Sequence, residues 1–165
     1  MRPIKVTMQA FGPYINKTVC DFTLLSDNSL FLITGSTGSG KTTILDAMSF
    51  ALYGYATGLM RTFKDMRNTA APENLDTYTE FIFDLAGKTY KFIRSVEIRK
   101  KRSGEREEKE DAECYVKSGD EWELIDTGNK KVSQRAAELL GFTHSQFSQV
   151  IVLPQGEFRK LLLAS

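Results

Sequence analysis

One histidine and two cysteines are present among the 165 residues, too few for a metal site built from several histidines or several cysteines. A single histidine, His144, excludes a site built from several histidines, and we expect it to be an exposed structural residue. Cys20 and Cys114 lie far apart in sequence and do not form the spacing of a zinc or iron–sulfur site. We expect both cysteines to be small buried hydrophobic residues in a reducing cytosol.

The sequence also lacks an excess of charge of either sign. Its 22 basic and 21 acidic residues leave a net charge of +1, which excludes a strong global attraction to nucleic acid or to a membrane surface. Any such binding therefore needs a local patch. No long apolar stretch follows residues 1–5, so we expect neither a signal peptide nor a transmembrane span, no membrane partner and a cytoplasmic location.

A glycine-rich loop is the most informative feature that is present. Residues 35–42, GSTGSGKT, match the phosphate-binding pattern G-x-x-x-x-G-K-[ST] in full. The apolar run 30–33 before the loop predicts a buried strand, and residues 43–48 after it predict a helix. In that arrangement the backbone N–H groups of the loop and the positive end of the helix dipole face phosphate oxygens. The residues predicted to bind nucleotide are Gly35, Ser36, Thr37, Gly38, Ser39, Gly40, Lys41, Thr42 and Thr43.

Two side chains of this loop carry the predicted chemistry. Lys41 can reach the β- and γ-phosphates of ATP as a point charge, and the Thr42 hydroxyl can ligate Mg²⁺. ATP and Mg²⁺ are therefore the expected cofactors. The alternative is a glycine-rich turn between a strand and a helix that binds no ligand, and the structural context on both sides of the loop argues against it.

The hydrophobic periodicity predicts one α/β domain. Alternation through residues 77–85 and 88–98 predicts an antiparallel hairpin, with Phe81 and Phe83 facing the same way. Thr143 and the glutamine three positions later match a capping box, which predicts the start of a short helix. The remaining predictions are helices over 41–53 and 129–140 and strands over 3–9, 19–24, 29–34, 114–116, 122–124 and 150–153.

Two segments have no clear period. Residues 55–76 are expected to form either a mobile solvated loop or a loop that orders against nucleotide or DNA. Residues 99–111 form a charge run whose basic and acidic halves could pair across the tip of a hairpin. We interpret this run as a solvated or disordered tip, with a DNA-backbone contact by its basic half as the alternative.

The sequence lacks the second half of a hydrolytic site. Mg²⁺ normally has a second anchor, an aspartate at the end of an apolar strand, with a neighbouring carboxylate that activates water. After Lys41 no run of four aliphatic residues ends in Asp-Glu, and residues 150–153 lead into Pro154 and Gln155 instead. Residues 161–163 begin an apolar pattern that is not continued. We therefore expect this chain to be a piece of a longer polypeptide.

Four stretches of the sequence together resemble one protein family. Residues 8–14, 33–47, 51–54 and 146–158 are similar to the N-terminal ATPase lobe of the SbcC family, the bacterial SMC-like DNA-repair ATPases. The resemblance implies a P-loop NTPase fold, specifically an ABC-ATPase-like N-terminal lobe with an antiparallel β subdomain. Residues 1–165 would then be the N-terminal half of an ABC-type ATPase head, ending at the root of a coiled coil.

The resemblance also implies partners and a further site residue. The expected partners are the C-terminal lobe of the same protein, a second head that dimerises in an ATP-dependent manner, an SbcD-type nuclease and double-stranded DNA, all in the bacterial cytoplasm. The glutamine of the family's Q-loop corresponds to Gln155, which would ligate Mg²⁺, contact the attacking water and share the catalytic role with Lys41. The implied function is that of an ATPase that gates a nuclease at DNA breaks and hairpins.

Two other functions compete with this interpretation. The first is an SMC-like or RecF-like chromosome or DNA clamp without a nuclease partner, and residues 154–158 argue against it. The second is a small-molecule kinase, which would need its own second Mg²⁺ ligand and an acceptor site. One departure from the family concerns the residue after the first strand, which is basic in some relatives and contacts nucleotide. Here Gly12-Pro13-Tyr14 occupies that region, and we expect Tyr14 to pack in the hairpin rather than to stack on the base.

Overall fold

A computed structural model describes residues 1–25, 32–57, 61–100 and 106–150, apart from the side chains at positions 99, 100, 106 and 150. Its centre is a six-stranded antiparallel sheet with the strand order β2-β1-β3-β4-β5-β6. One face of this sheet packs against two helices, α1 and α3, so the α/β class and the antiparallel β region are as predicted. The elements are β1 (Arg2–Gln9), β2 (Thr18–Asp21), α1 (Lys41–Tyr53), α2 (Phe63–Met66), β3 (Thr77–Leu85), β4 (Lys88–Lys100), β5 (Arg106–Ser118), β6 (Glu121–Thr127), α3 (Asn129–Leu140) and α4 (His144–Val150).

The β3–β4 hairpin forms the centre of the sheet, and its alternation is confirmed. Phe81 lies opposite Phe92 and Phe83 opposite Tyr90, and the three phenylalanines have no solvent exposure. Their rings cluster, with the Phe83 and Phe92 centroids 5.8 Å apart. Each buried aromatic side chain contributes about 1.5–3 kcal/mol of hydrophobic free energy, so this cluster is a main source of stability.

Helix α1 is buried around more of its surface than an amphipathic surface helix, which buries only one face. All eight residues from Asp46 to Tyr53 are buried, because the helix packs on the sheet and also contacts α3 and α4. Gly54 ends the helix in the left-handed conformation, as its sequence position predicts, and its N–H donates to the Phe50 carbonyl.

Arg94 of β4 fastens the C-terminal end of α1 to the sheet. This side chain is 2 % exposed, and its Nε donates to the Phe50 carbonyl at 2.9 Å. Its Nη1 donates to the Asn129 side chain at 2.8 Å and its Nη2 to the Ser133 hydroxyl at 3.1 Å, which connects α3 to the same point. Burial lowers the pKa of Arg94 to about 10. Because this value is still well above neutral pH, the guanidinium stays charged in the folded protein.

Several predicted strands have different bounds in the structure. The strands predicted over 114–116 and 122–124 are longer, since those residues are only parts of β5 and β6. The strand predicted over 19–24 ends at Asp21, because the Asp21 carboxylate accepts the Thr23 N–H at 2.9 Å and caps a 3₁₀ turn over Phe22–Leu24. The strand predicted to begin at Val150 does not begin there, since Val150 is the last residue of α4. Residues 151–153 of that prediction lie outside the described residues.

The buried strand predicted before the phosphate-binding loop is wrong for the residues that can be described. Residues 32–34 have no regular structure, and Leu32 is 85 % and Ile33 37 % exposed. A strand needs a neighbour for its backbone hydrogen bonds, and none of the six described strands pairs with these residues. Residues 29–31 lie outside the described ranges.

Less of the charge run 99–111 lies outside the strands than the prediction of a hairpin tip implies. Strands β4 and β5 continue their ladder into it, with Arg99 opposite Glu107 and Ile98 opposite Glu108. The expected pairing of the basic and acidic halves is therefore present in the backbone register. Residues 101–105 are not among those described.

No helix in the described ranges is long and apolar enough to cross a membrane.

Candidate nucleotide-binding site

The predicted phosphate-binding residues lie together at the N-terminal end of α1. Helix α1 begins at Lys41, directly after Gly40, and no side chain caps its first turn. The first N–H groups of a helix have no partner within it, so they and the helix dipole form an anion-binding end. A cavity of about 220 Å³ at this end is lined by Thr37, Gly38, Gly40, Lys41, Thr42 and Thr43.

The Lys41 ammonium lies over its own loop. Its Nζ donates to the Gly35 carbonyl at 2.8 Å and to the Ser36 carbonyl at 2.7 Å. The loop itself is closed by a turn in which the Ser39 N–H donates to the Ser36 carbonyl at 3.2 Å. These contacts hold the ammonium group of Lys41, a residue that lines the cavity, against the backbone of the loop. An ammonium group has three N–H donors, so one is left for a phosphate oxygen.

The donor set at this end suits Mg²⁺ held together with a nucleotide. Mg²⁺ keeps several waters in proteins and is bound through one or two protein oxygens plus substrate phosphates. Thr42 is exposed next to Lys41 and offers one such hydroxyl oxygen. Among the described residues no group of three or more His, Cys, Asp and Glu side chains is arranged to hold a metal without a nucleotide. Gln155, the second predicted ligand, lies outside those residues.

A turn between β1 and β2 packs directly on the loop, whereas the sequence predicts that Tyr14 of this turn packs within the hairpin. The turn consists of Phe11-Gly12-Pro13-Tyr14 and is closed by reciprocal backbone hydrogen bonds between Phe11 and Tyr14. The Tyr14 hydroxyl donates to the Gly40 carbonyl at 3.3 Å. Tyr14 is thus half-buried against the loop, although the turn and the loop are separated in sequence by β2.

Glycine is required on both sides of this contact. A Cβ atom on Gly40 would lie 2.7 Å from Pro13 Cγ and 2.8 Å from the Tyr14 hydroxyl oxygen. A Cβ atom on Gly12 would lie 2.4 Å from Thr43 Cγ2. Both glycines also have a positive φ, 90° and 54° respectively, so a side chain would add strain to the clash.

The segment after α1 is packed on the core, which differs from the expected mobile and solvated loop. The buried carboxylate of Asp46 accepts hydrogen bonds from the Thr57 N–H at 2.9 Å, from the Thr57 hydroxyl and from Arg61 Nη2 at 3.0 Å. Phe63 and Met66 of α2 are 3 % and 4 % exposed. The described part of residues 55–76 therefore has its own anchors in the protein, which the absence of a clear period does not reveal.

The basic residues of this segment already have partners within the chain. Arg61 pairs with Asp46, and Lys64 Nζ lies 3.7 Å from a Glu108 carboxylate oxygen. Arg67 donates to the Leu75 carbonyl and to the Thr77 hydroxyl, at 2.8 and 2.7 Å. These contacts give residues 55–76 a structural role, and none of the contacts in the described part of this segment indicates that it binds DNA.

His144 is half-buried rather than exposed. Its Nε2 lies 3.0 Å from the Ala56 carbonyl, and its ring packs against Tyr53 and Tyr55 with centroids 5.8 and 5.4 Å away. The predicted capping box is confirmed, since the Thr143 N–H donates to the Gln146 side chain at 2.9 Å. These contacts explain His144 as part of the packing between α1 and α4.

A larger cavity of about 510 Å³ lies at the other end of α1, between Tyr55, Arg94 and His144. The residues that line it include no glycine-rich loop, and the hydrogen bonds of Arg94 go to protein groups. The smaller cavity at residues 37–43 is therefore the better candidate for a phosphate-bearing ligand.

The two cysteines have different environments. Cys114 is fully buried, as predicted, and lies opposite Phe92 in the sheet. Burial raises the pKa of its thiol to about 12. Cys20 is half-buried, less than predicted, because it lies on the edge strand β2. Both are free thiols.

Comparison with known proteins agrees with the geometry. A family described as "AAA domain" matches residues 5–165. The SbcC components of the nuclease SbcCD are similar to the whole chain: that of Vibrio cholerae is 47 % identical over 169 residues, and that of Lactococcus lactis 39 % over 171 residues. The corresponding protein of Staphylococcus saprophyticus is 38 % identical over 164 residues, or 99 % of this chain. The chain spans only 16–17 % of the length of these three relatives.

Proposed function

This chain belongs to the AAA-domain family, and from that premise we propose that residues 35–43 bind the phosphates of ATP together with Mg²⁺. The observation that carries the proposal is the position of Lys41, which lines the cavity at the start of α1 and whose ammonium is held by two carbonyls of the loop. Lys41 supplies charge to the β- and γ-phosphates, and the backbone N–H groups supply hydrogen bonds. The Thr42 hydroxyl supplies an oxygen to Mg²⁺, which would neutralise charge on the phosphates.

We further propose that the chain is the N-terminal lobe of an ATPase head in a DNA-repair nuclease complex. The support is that the relatives are named as components of the nuclease SbcCD and are similar over the whole chain. In this proposal the C-terminal lobe of the same protein completes the head, and a second head joins it when ATP binds. The further partners are an SbcD-type nuclease and double-stranded DNA, in the bacterial cytoplasm. The names of the relatives favour this assignment over a clamp without a nuclease.

Gln155 has a proposed catalytic role in the completed head. It would ligate Mg²⁺ through its amide oxygen and orient the attacking water through its NH₂ group. The carboxylates that activate water are expected in the C-terminal lobe. ATP hydrolysis by the isolated chain should therefore be negligible, while binding should survive in weak form.

The decisive experiment removes the Lys41 charge. Calorimetric titration with Mg-ATP should show binding by the wild-type chain and none by Lys41→Ala, because that substitution removes the mobile cation of the loop. Lys64→Ala is the matched control, since it removes an exposed lysine whose carboxylate partner lies outside the loop. Equal affinity of the wild type and Lys41→Ala would contradict the proposal.

A further inference from the structure

Tyr14 contacts the phosphate-binding loop at the peptide group where α1 begins. Its hydroxyl donates to the carbonyl oxygen of Gly40 at 3.3 Å. Burial raises the pKa of the Tyr14 phenol above its usual value, so the group keeps its proton at neutral pH and acts as a donor.

The geometry of a peptide group gives this contact a consequence for phosphate binding. The chain has no cis peptide bond among its described residues, so the Gly40–Lys41 peptide is trans and planar. In a trans peptide the N–H points opposite to the C=O. Holding the Gly40 carbonyl from the Tyr14 side therefore directs the Lys41 N–H away from the turn. That N–H belongs to the first turn of α1, whose N–H groups have no partner within the helix.

The turn that carries Tyr14 is itself held in place by hydrogen bonds to residues 66–68. The Gly12 N–H donates to the Met66 carbonyl at 2.7 Å, and the Asn68 side-chain amide donates to the Gly12 carbonyl at 2.7 Å. The Asn68 N–H also donates to the Ala10 carbonyl at 3.0 Å. Residues 66–68 thus brace the turn, and the turn braces the loop through close contacts at Gly12 and Gly40.

We propose that Tyr14 is a positioning residue for the phosphate-binding loop, acting through the Gly40 carbonyl and not through the base of the nucleotide. The proposal rests on the proposed function, because it assumes that residues 35–43 bind phosphates. It assigns a task to a side chain that neither carries charge nor belongs to the glycine-rich pattern. It also gives the segment after α1 a role in the site, since Asn68 supports the turn.

The test uses Tyr14→Phe in the full-length protein that carries this chain, with two ligands. One is a non-hydrolysable ATP analogue with Mg²⁺, and the other is inorganic tripolyphosphate with Mg²⁺, which has the phosphates but no base. Losing one neutral hydrogen bond should weaken both ligands to a similar degree, by about three- to tenfold. Asn68→Ala should weaken both in the same direction, because it loosens the turn without changing the phenol.

Tyr53→Phe is the matched control. It removes a tyrosine hydroxyl that likewise donates to a backbone carbonyl, that of Phe142 at 2.8 Å, but at the other end of α1. It should lower thermal stability at least as much as Tyr14→Phe and leave both ligand affinities unchanged. A simple loss of stability would therefore not reproduce the expected result.

Each other outcome overturns the inference. Unchanged affinity of Tyr14→Phe for both ligands would show that the Gly40 contact does not position the loop. A loss confined to the ATP analogue would show that Tyr14 contacts the base or ribose. Equal losses in Tyr14→Phe and Tyr53→Phe would show a general effect of stability. If Lys41→Ala also binds both ligands normally, the proposed function itself fails, which is a different result from failure of the Tyr14 inference alone.

Discussion

The two ends of helix α1 differ in almost every physical respect. The N-terminal end, residues 40–43, has glycine in place of a capping side chain, and Thr42 is exposed to solvent. The side chains of the C-terminal end, residues 50–53, are buried, and Arg94 donates into its last turn. A single helix thus has an open end where a ligand can enter and a buried end that fixes its position in the core.

This difference indicates that ligand binding and stability depend on different ends of the same helix. At the open end the backbone N–H groups are left for a ligand, at the cost of hydrogen bonds that the free protein does not make. At the buried end the carbonyl groups are satisfied by Arg94 and the side chains fill the core. We therefore expect substitutions at the open end to change affinity and those at the buried end to change the free energy of unfolding.

The largest effect on stability is expected at Arg94. Arg94→Met should lower the free energy of unfolding by roughly 3 kcal/mol or more, because the Phe50 carbonyl and the Asn129 side chain lose a buried donor. Urea unfolding followed by circular dichroism measures this change. Lys91→Met is the control, a cation lying over the Tyr115 and Trp122 rings at 4.3 and 4.5 Å, and it should cost only about 1 kcal/mol.

Lys41→Ala, in the same unfolding assay, should change stability by less than about 0.5 kcal/mol. A loss at Lys41 as large as that at Arg94 would remove the distinction between the two ends.

An intermediate effect, confined to turnover, is expected at Gln155. In the full head, Gln155→Leu should leave ATP affinity within a few fold and lower the hydrolysis rate sharply, because it removes positioning of water more than binding of the ground state. Steady-state hydrolysis and calorimetry on the same preparation separate the two quantities. A wild-type hydrolysis rate in this variant would show that the Q-loop assignment is wrong.

A small effect of the opposite sign, a gain in stability, is expected at the β3–β4 turn. Ala86 and Gly87 have φ values of 50° and 77°, and alanine adopts a positive φ only with strain. Ala86→Asn should raise the free energy of unfolding by about 0.5–1 kcal/mol, since asparagine tolerates this conformation better. Thermal unfolding measures the gain, and nucleotide affinity should stay constant. A changed affinity would show that the sheet and the open end are coupled.

Local patterns in the sequence are sufficient to predict many of the helices, strands and turns of this fold. The bounds of α1, its end at Gly54 and the β3–β4 pairing follow from periodicity and from glycine. The short helix α2 has a capping box from Thr62 to Asp65, a local signal within a segment that was predicted only as a loop. Such features depend only on residues that are close in sequence, so a single sequence can reveal them.

Contacts between distant residues could not be predicted in the same way. The Tyr14–Gly40 hydrogen bond joins residues 26 positions apart, and the His144–Ala56 contact joins residues 88 positions apart. At Val150 a local pattern gives the wrong prediction. The run of aliphatic residues that begins there predicts a strand, but such a run also fits the end of a helix, and Val150 ends α4. In each case packing against another element, not local preference, determines the outcome.

The burial of Cys114 gives this protein an internal reporter of unfolding. A thiol reacts with alkylating reagents as the thiolate, and a fully buried thiol with a pKa of about 12 forms almost none at neutral pH. Cys114 faces Phe92 across β4 and β5, so a reagent reaches it only when the central sheet opens. The slow alkylation of Cys114, set against faster labelling of the half-buried Cys20, would time the opening of the core in the unmodified protein.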